Sequence, residues 1–250
     1  MRTLTVLLSL IAALLLAACS GSSSVSVSEL SDEYIRAAQQ AVESALITID
    51  DLPQGWEIDP PDEDSQEDDA DENDYLFTRE CQPLNDLDNL PGQIADAVSD
   101  DFDGSPGQTF STDVVAFASD DAAKDAFNLF RTLRITCSDQ LRKAMVAGLR
   151  DVFAEEGATE AELATLSAVV SDLPFPQLSD HADAYRVDWQ ADIGGTAYRV
   201  KMHFPYWRHG NMVGSVSYRT FTGEPDMTKE ALIAKIAFDK LVKAEATLNE

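Results

Sequence analysis

Positive charge is scarce in this chain: 18 Lys and Arg stand against 45 Asp and Glu, a formal charge of -27 over 250 residues. Such an acidic excess excludes recognition of DNA or RNA through the phosphate backbone, which needs a dense field of cations, and equally excludes a polybasic membrane-surface patch. Cysteine is scarce too, with 3 residues in all, so the chain is not a disulfide-dense scaffold. Histidine is limited to His181, His203 and His209. No HExxH, Walker loop, G-x-G-x-x-G or G-x-S-x-G elbow occurs, so metalloprotease, phosphate-loop and serine-hydrolase chemistry lack their usual residues. The apolar run from Leu4 to Ala18 is too short for a permanent transmembrane helix.

What remains is a globular composition. Hydrophobic residues make up 44% of the chain and aromatics 8%, enough to build a buried core where a disordered acidic chain could not. The acidity is partly local, because 57–74 carries 11 acids and no base, but the rest of the chain is acidic as well.

The first residues read as an export signal. Arg2 precedes the short apolar run, and Leu16-Ala17-Ala18-Cys19 resembles a bacterial lipobox, in which the Cys is acylated and becomes the mature N-terminus. The other reading is an ordinary secretory signal cut after Ala18. Acylation of Cys19 with two or three chains suffices for stable anchoring where one chain is marginal. The expected organisation is therefore a signal peptide over 1–18, a lipidated Cys and Ser-rich tether over 19–30, and one domain over 31–250 with an acidic loop at 59–74. The expected location is the extracytoplasmic face of the cell membrane, with the lipid anchor as the membrane contact. With Cys19 used by lipid, Cys81 and Cys137 remain, and an even pair in an oxidising compartment is most simply a disulfide. Two reduced thiols or a metal pair are the alternatives, and neither a CxxC spacing nor a nearby His supports them.

Periodicity outlines the domain. Ser31 caps a helix from Asp32 to about Leu46, with an apolar stripe of Tyr34, Ala37, Ala38, Ala41 and Ala45. Pro53 and Gly55 end it in the turn Leu52-Pro53-Gln54-Gly55-Trp56, and Trp56 to Ile58 opens a strand. A short helix is expected at Ile94–Ser99 and a strand at Thr109–Ala118. Ser119 caps the next helix, and helical stretches follow at about 138–155 and 159–172. Strict alternation from Tyr185 to Ile193, a Gly194-Gly195 turn and the following residues predict a hairpin. Its register places Trp189 opposite Val200, Val187 opposite Met202 and Tyr185 opposite Phe204, with Asp188 meeting Lys201 and Gln190 meeting Arg199 on the other face. A third strand, Met212 to Phe221, returns through a three-residue loop that puts Val216 opposite Phe204 and Tyr218 opposite Met202. A last helix, Lys229 to about Leu248, covers one sheet face with Ala234, Ala237, Phe238, Leu241 and Leu248. The fold class is α+β, an antiparallel sheet with a C-terminal three-strand meander packed against several helices.

The lipobox, the Leu52-Pro53-Gln54-Gly55-Trp56 turn, the Cys81 and Cys137 pair, and Asp183-Ala184-Tyr185-Arg186 opening a meander with a late Arg-His-Gly turn together carry a resemblance. The chain resembles actinobacterial cell-envelope lipoproteins related to the extracellular sensor domain of mycobacterial receptor Ser/Thr kinases. That resemblance implies a mixed α/β domain with a groove for an envelope ligand and no catalytic residues to carry over. The sensor domain has a second disulfide that this chain lacks.

Three groups of residues are candidates for chemistry. Asp69, Asp71, Asn73, Tyr75 and Glu80 have the alternating oxygen-donor spacing of a calcium loop, with Leu76 at its apolar position. Asp74 stands where that loop needs Gly, and Pro60, Pro61 and Pro83 deny it flanking helices, so a solvated loop is the expected state and no metal or other cofactor is assigned. Asp180, His181 and Asp183 could form an acid-base pair for an envelope hydrolase, but no nucleophile accompanies them. His203 falls on the polar sheet face and His209 in a turn. Tyr206, Trp207, Arg208 and His209 form an aromatic and cationic cluster at an expected loop tip, a composition favoured in recognition surfaces, against the plainer reading of a hairpin end with Trp207 tucked onto the sheet. The function that fits best is a noncatalytic, sensor-like binding domain whose partner is an envelope lipid, glycan or protein.

Overall fold

The computed structural model describes residues 27, 30–59, 77–84, 90–104, 107–221 and 223–249. Eight antiparallel strands are joined in one sheet: β1 (Trp56–Ile58), β2 (Gln93–Val98), β3 (Phe102–Gly104), β4 (Gln108–Phe117), β5 (Ser167–Asp172), β6 (Ala182–Ile193), β7 (Thr196–His209) and β8 (Met212–Thr220). Their order is β1-β3-β4-β8-β7-β6-β5, and β2 pairs with β4 beside β3. The helices are α1 (Asp32–Ala45), α2 (Asp120–Thr136), α3 (Ser138–Glu155), the single turn α4 (Glu160–Leu163) and α5 (Met227–Leu248).

Local signals explain the helix starts. Ser31 accepts from the Tyr34 backbone N–H and Ser119 from that of Ala122, each relieving an orphan donor of the first turn. The α5 helix begins two residues before the expected Lys229, because Asp226 accepts from the N–H groups of both Thr228 and Lys229.

The β6–β7 hairpin has the expected register throughout, from Ile193 opposite Thr196 to Tyr185 opposite Phe204, with Asp188 facing Lys201 and Gln190 facing Arg199. Turn chemistry, charge and apolar alternation all specify the same pairing. The return strand differs by one residue. His209 pairs with Met212 across a Gly210-Asn211 turn, so Tyr218 lies opposite His203 and not Met202. Gly210 has φ 52° and supplies the left-handed residue of this tighter turn.

Two expected helices give way to strands. The 94–99 segment is strand β2, paired with β4 and with Ala95 buried. Of the expected 159–172 helix only Glu160–Leu163 forms, and Ser167–Asp172 becomes edge strand β5 on β6. In both, tertiary pairing to an existing long strand overrides a weak local helix pattern.

Both sheet faces are covered, where the sequence indicated one. The α1 and α5 helices pack together over one face, burying Ala38, Val42, Phe110, Val114, Trp207, Val216, Tyr218, Ile233 and Leu241. On the other face α2 buries Ala123 and Ala126 against Phe117, while Phe153 of α3 meets Trp189 and Tyr198. Among the described residues no helix is long and apolar enough to cross a membrane.

Candidate functional site

Asp183 sits at the centre of a polar clamp on the α2 face. Its Oδ2 receives the Tyr206 hydroxyl at 3.1 Å, Arg134 Nη2 at 3.3 Å and Arg131 Nε at 3.3 Å, and its Oδ1 accepts from the Ala184 N–H at 2.8 Å. Arg134 is only 4% exposed, donates through Nη1 to Asp172 at 2.7 Å and lies over the Tyr185 ring at 5.6 Å. Burial opposes the charged guanidinium, but the bonds to Asp172 and Tyr206 outweigh it and raise its pKa. Burial also pushes the Tyr185 and Tyr206 hydroxyls well above the ordinary tyrosine range. A carboxylate with four donors has little capacity left to orient a base. His181 and Asp180 are exposed, and no hydrogen bond joins the His181 ring to Asp180 or Asp183 among the described residues. The residues of the hydrolase alternative are therefore neighbours in sequence and not an assembled pair.

Tyr206, Trp207, Arg208 and His209 are not at a loop tip. All four belong to β7, whose pairing runs to His209. Tyr206 and Trp207 are buried on opposite faces, Tyr206 against Phe127 and Phe130 and Trp207 against Phe238. Arg208 Nη1 is taken by the Gly210 carbonyl at 2.8 Å. The two-residue turn extends the strand and turns these rings into core, so Tyr206 and Trp207 do not project from a loop tip.

Cys81 and Cys137 form a disulfide, which ties the segment around Phe77 and Leu84 to the end of α2 and the start of α3. Cys19 lies outside the described residues, as do Asp69, Asp71, Asn73 and Tyr75 of the calcium-loop pattern; Glu80 alone is described. Among the described residues no group of His, Cys, Asp or Glu is placed to hold a metal ion.

Sequence reasoning missed a second polar centre. His203 and Glu230 are 3% and 2% exposed and meet at 2.8 Å, Nδ1 to Oε2, beneath the first turn of α5. The alternation of β7 assigns His203 to the polar face, but only the packing of α5 shows that this face is roofed. Tyr218 lies opposite His203 and is 1% exposed; burial, then the charges of Glu230 and Asp226, raises its hydroxyl pKa. His203 Nε2, Glu230 Oε1 and the Tyr218 hydroxyl have no hydrogen-bond partner among the described residues, and Gln108 Oε1 on the neighbouring row of β4 has none either. A glutamate three residues before a core Ile, in the first turn of a helix that crosses a sheet, is the one signal that could have flagged it.

Cavities open among the described residues. One of about 390 Å³ lies under the Pro-rich strap Leu173–Leu178 and reaches Ala184, Pro205 and Trp207. A second, about 160 Å³, lies between the Pro53–Trp56 turn, Gly104, Gln108 and the first turns of α5. The third, about 230 Å³, lies on the β5–β7 surface beside Asp188 and Lys201.

No family model matches the chain, and no curated protein matches it. Among solved structures it is similar to the crystal structure of the extracellular domain of PknH from Mycobacterium tuberculosis, with 13% identity over 85% of this chain and 97% of that one, at a TM-score of 0.37.

Proposed function

We propose that the protein is an exported lipoprotein, anchored through acylated Cys19 at the extracytoplasmic face of the membrane, whose α+β domain binds an envelope ligand without catalysis. The cavity under Leu173–Leu178 carries this reading. Its volume of about 390 Å³ falls in the range of small-molecule sites, and Phe175, Leu178 and Pro205 contribute apolar side chains to a mixed lining in which the titratable Asp183 is held by donors on every side. Repulsion between a chain of charge -27 and anionic headgroups supports a domain held away from the bilayer on its tether, facing soluble or wall-bound ligands.

Native mass spectrometry of the protein extracted from its own membrane tests the proposal. A retained small molecule, together with the mass of an acylated Cys19, is the expected result. A clean ligand-free mass moves the function to a protein partner, and an unacylated N-terminus sinks the anchor. A hydrolytic activity abolished by His181→Ala would overturn the noncatalytic reading.

A further inference from the structure

The cavity beside Trp56 has the makings of a second, differently selective site. Its lining is Trp56, the amides of Gln54 and Gln108, the apolar side chains of Leu232 and Ile233, and Lys229, with the backbone of Gly55 and Gly104 at close range. Gly104 brings the chain against the indole so closely that a Cβ there would fall 2.7 Å from Trp56 Cζ3. Behind this lining lie the unpartnered groups. The Tyr218 ring is 6.5 Å from that of Trp56, and Glu230 shares a face of α5 with Ile233, one turn away. Gln108 Oε1, also without a partner, belongs to the lining itself, while the Tyr218 hydroxyl and Glu230 Oε1 are buried behind it and do not line the cavity. Groups so placed cost free energy until something hydrogen-bonds them.

The geometry points to a neutral sugar ring as the ligand of the Trp56 cavity. The inference rests on the reading of the protein as an envelope binding domain and names the ligand class of one site in it. Size is the first argument: a cavity of about 150 Å³ accommodates one six-membered ring, and this one measures about 160 Å³. Polarity is the second. An indole and two aliphatic side chains suit the C–H faces of a pyranose, while two amides and an ammonium suit its hydroxyl groups, which both donate and accept. Charge is the third. Glu57, Asp59, Asp101 and Asp103 crowd the adjoining β1–β3 ribbon and repel an anion, while Lys229, the charged group of the lining among the described residues, repels a cation. The Glu230 carboxylate does not alter that balance, because it lies outside the lining and pairs with His203.

Nuclear magnetic resonance on the full-length lipoprotein in a sugar-free zwitterionic detergent decides the matter. The probe is the indole N–H resonance of Trp56, assigned by its loss in Trp56→Phe, titrated with glucose, galactose, mannose, arabinose, N-acetylglucosamine and myo-inositol, and with glucuronate and phenol as controls. At least one neutral sugar is expected to shift it saturably, with a dissociation constant on the order of 1 mM, and Gln108→Ala is expected to weaken that by about tenfold while the remaining spectrum stays dispersed. No response to any neutral sugar overturns the inference, and so does a tighter response to glucuronate or phenol. If the Trp56 signal is silent but mass spectrometry shows another retained ligand, the sugar site fails and the binding-domain reading survives; if both are negative, both fall.

Discussion

His203 on β7 and Glu230 on α5 meet at 2.8 Å in a part of the core where neither is more than 3% exposed. Breaking a buried pair by removing one partner leaves an uncompensated polar group in a low-dielectric site, typically at a cost of about 3–5 kcal/mol. Glu230→Ala is expected to destabilise the domain by roughly that much, against under about 0.5 kcal/mol for Lys229→Ala on the exposed side of the same turn. Urea denaturation of the two variants measures the contrast, and comparable midpoints would show that the pair contributes little.

The Arg134 clamp should behave in the same way on the other face. Arg134 is buried and joins α2 to both Asp172 and Asp183, while the Arg131 side chain, 59% exposed, touches the same Asp183 Oδ2. Arg134→Ala is expected to cost about 3 kcal/mol, and Arg131→Ala less than about 1 kcal/mol. Thermal unfolding at matched pH separates them, and equal losses would contradict the burial argument.

Reduction of Cys81–Cys137, whose partners lie 56 positions apart, is expected to destabilise the protein by roughly 4 kcal/mol on the chain-entropy model. Protection of backbone amides should be lost first around Thr78–Leu84, which α2 and α3 hold through Phe130, Leu133 and Leu141. Hydrogen exchange with and without reductant reports both effects.

Glu162 links the α4 turn to the β6–β7 hairpin. Its carboxylate accepts from the Thr159 N–H and hydroxyl and from the Gly194 N–H at 2.7 Å, and these bonds lower its pKa below the ordinary glutamate value. A depressed folded-state pKa means stabilisation that is complete above the unfolded value and lost as pH falls through the folded one. The stability gap between wild type and Glu162→Gln should therefore be present at neutral pH and shrink below about pH 4. Denaturant midpoints across that range would show a constant gap if the bonds contribute nothing.

The legible parts of this fold are those in which several local signals agree. The β6–β7 register followed from a Gly-Gly turn, alternating apolar residues and the Asp188–Lys201 facing pair, and each excludes a one-residue slip. Helix starts at Asp32 and Asp120 followed from Ser31 and Ser119. The β8 register lacked such agreement, since His209-Gly210-Asn211 is compatible with either turn length, and the choice moved Tyr218 from Met202 to His203. Strands β2 and β5 were illegible because their short apolar runs fit either period, and the partner strand decided.

The sequence by itself determined the composition class, the scarcity of cations and the register of the central hairpin. These are properties of neighbours in the chain or of counts. Only the tertiary structure decided that both sheet faces are covered, that Tyr206 and Trp207 belong to the core, and that Asp183 is held by Arg131, Arg134 and Tyr206. It also decided that His203 meets Glu230 under α5. The reason is physical: alternation tells which side of a strand a residue faces, while burial and partner are set by which distant helix comes to lie on that side.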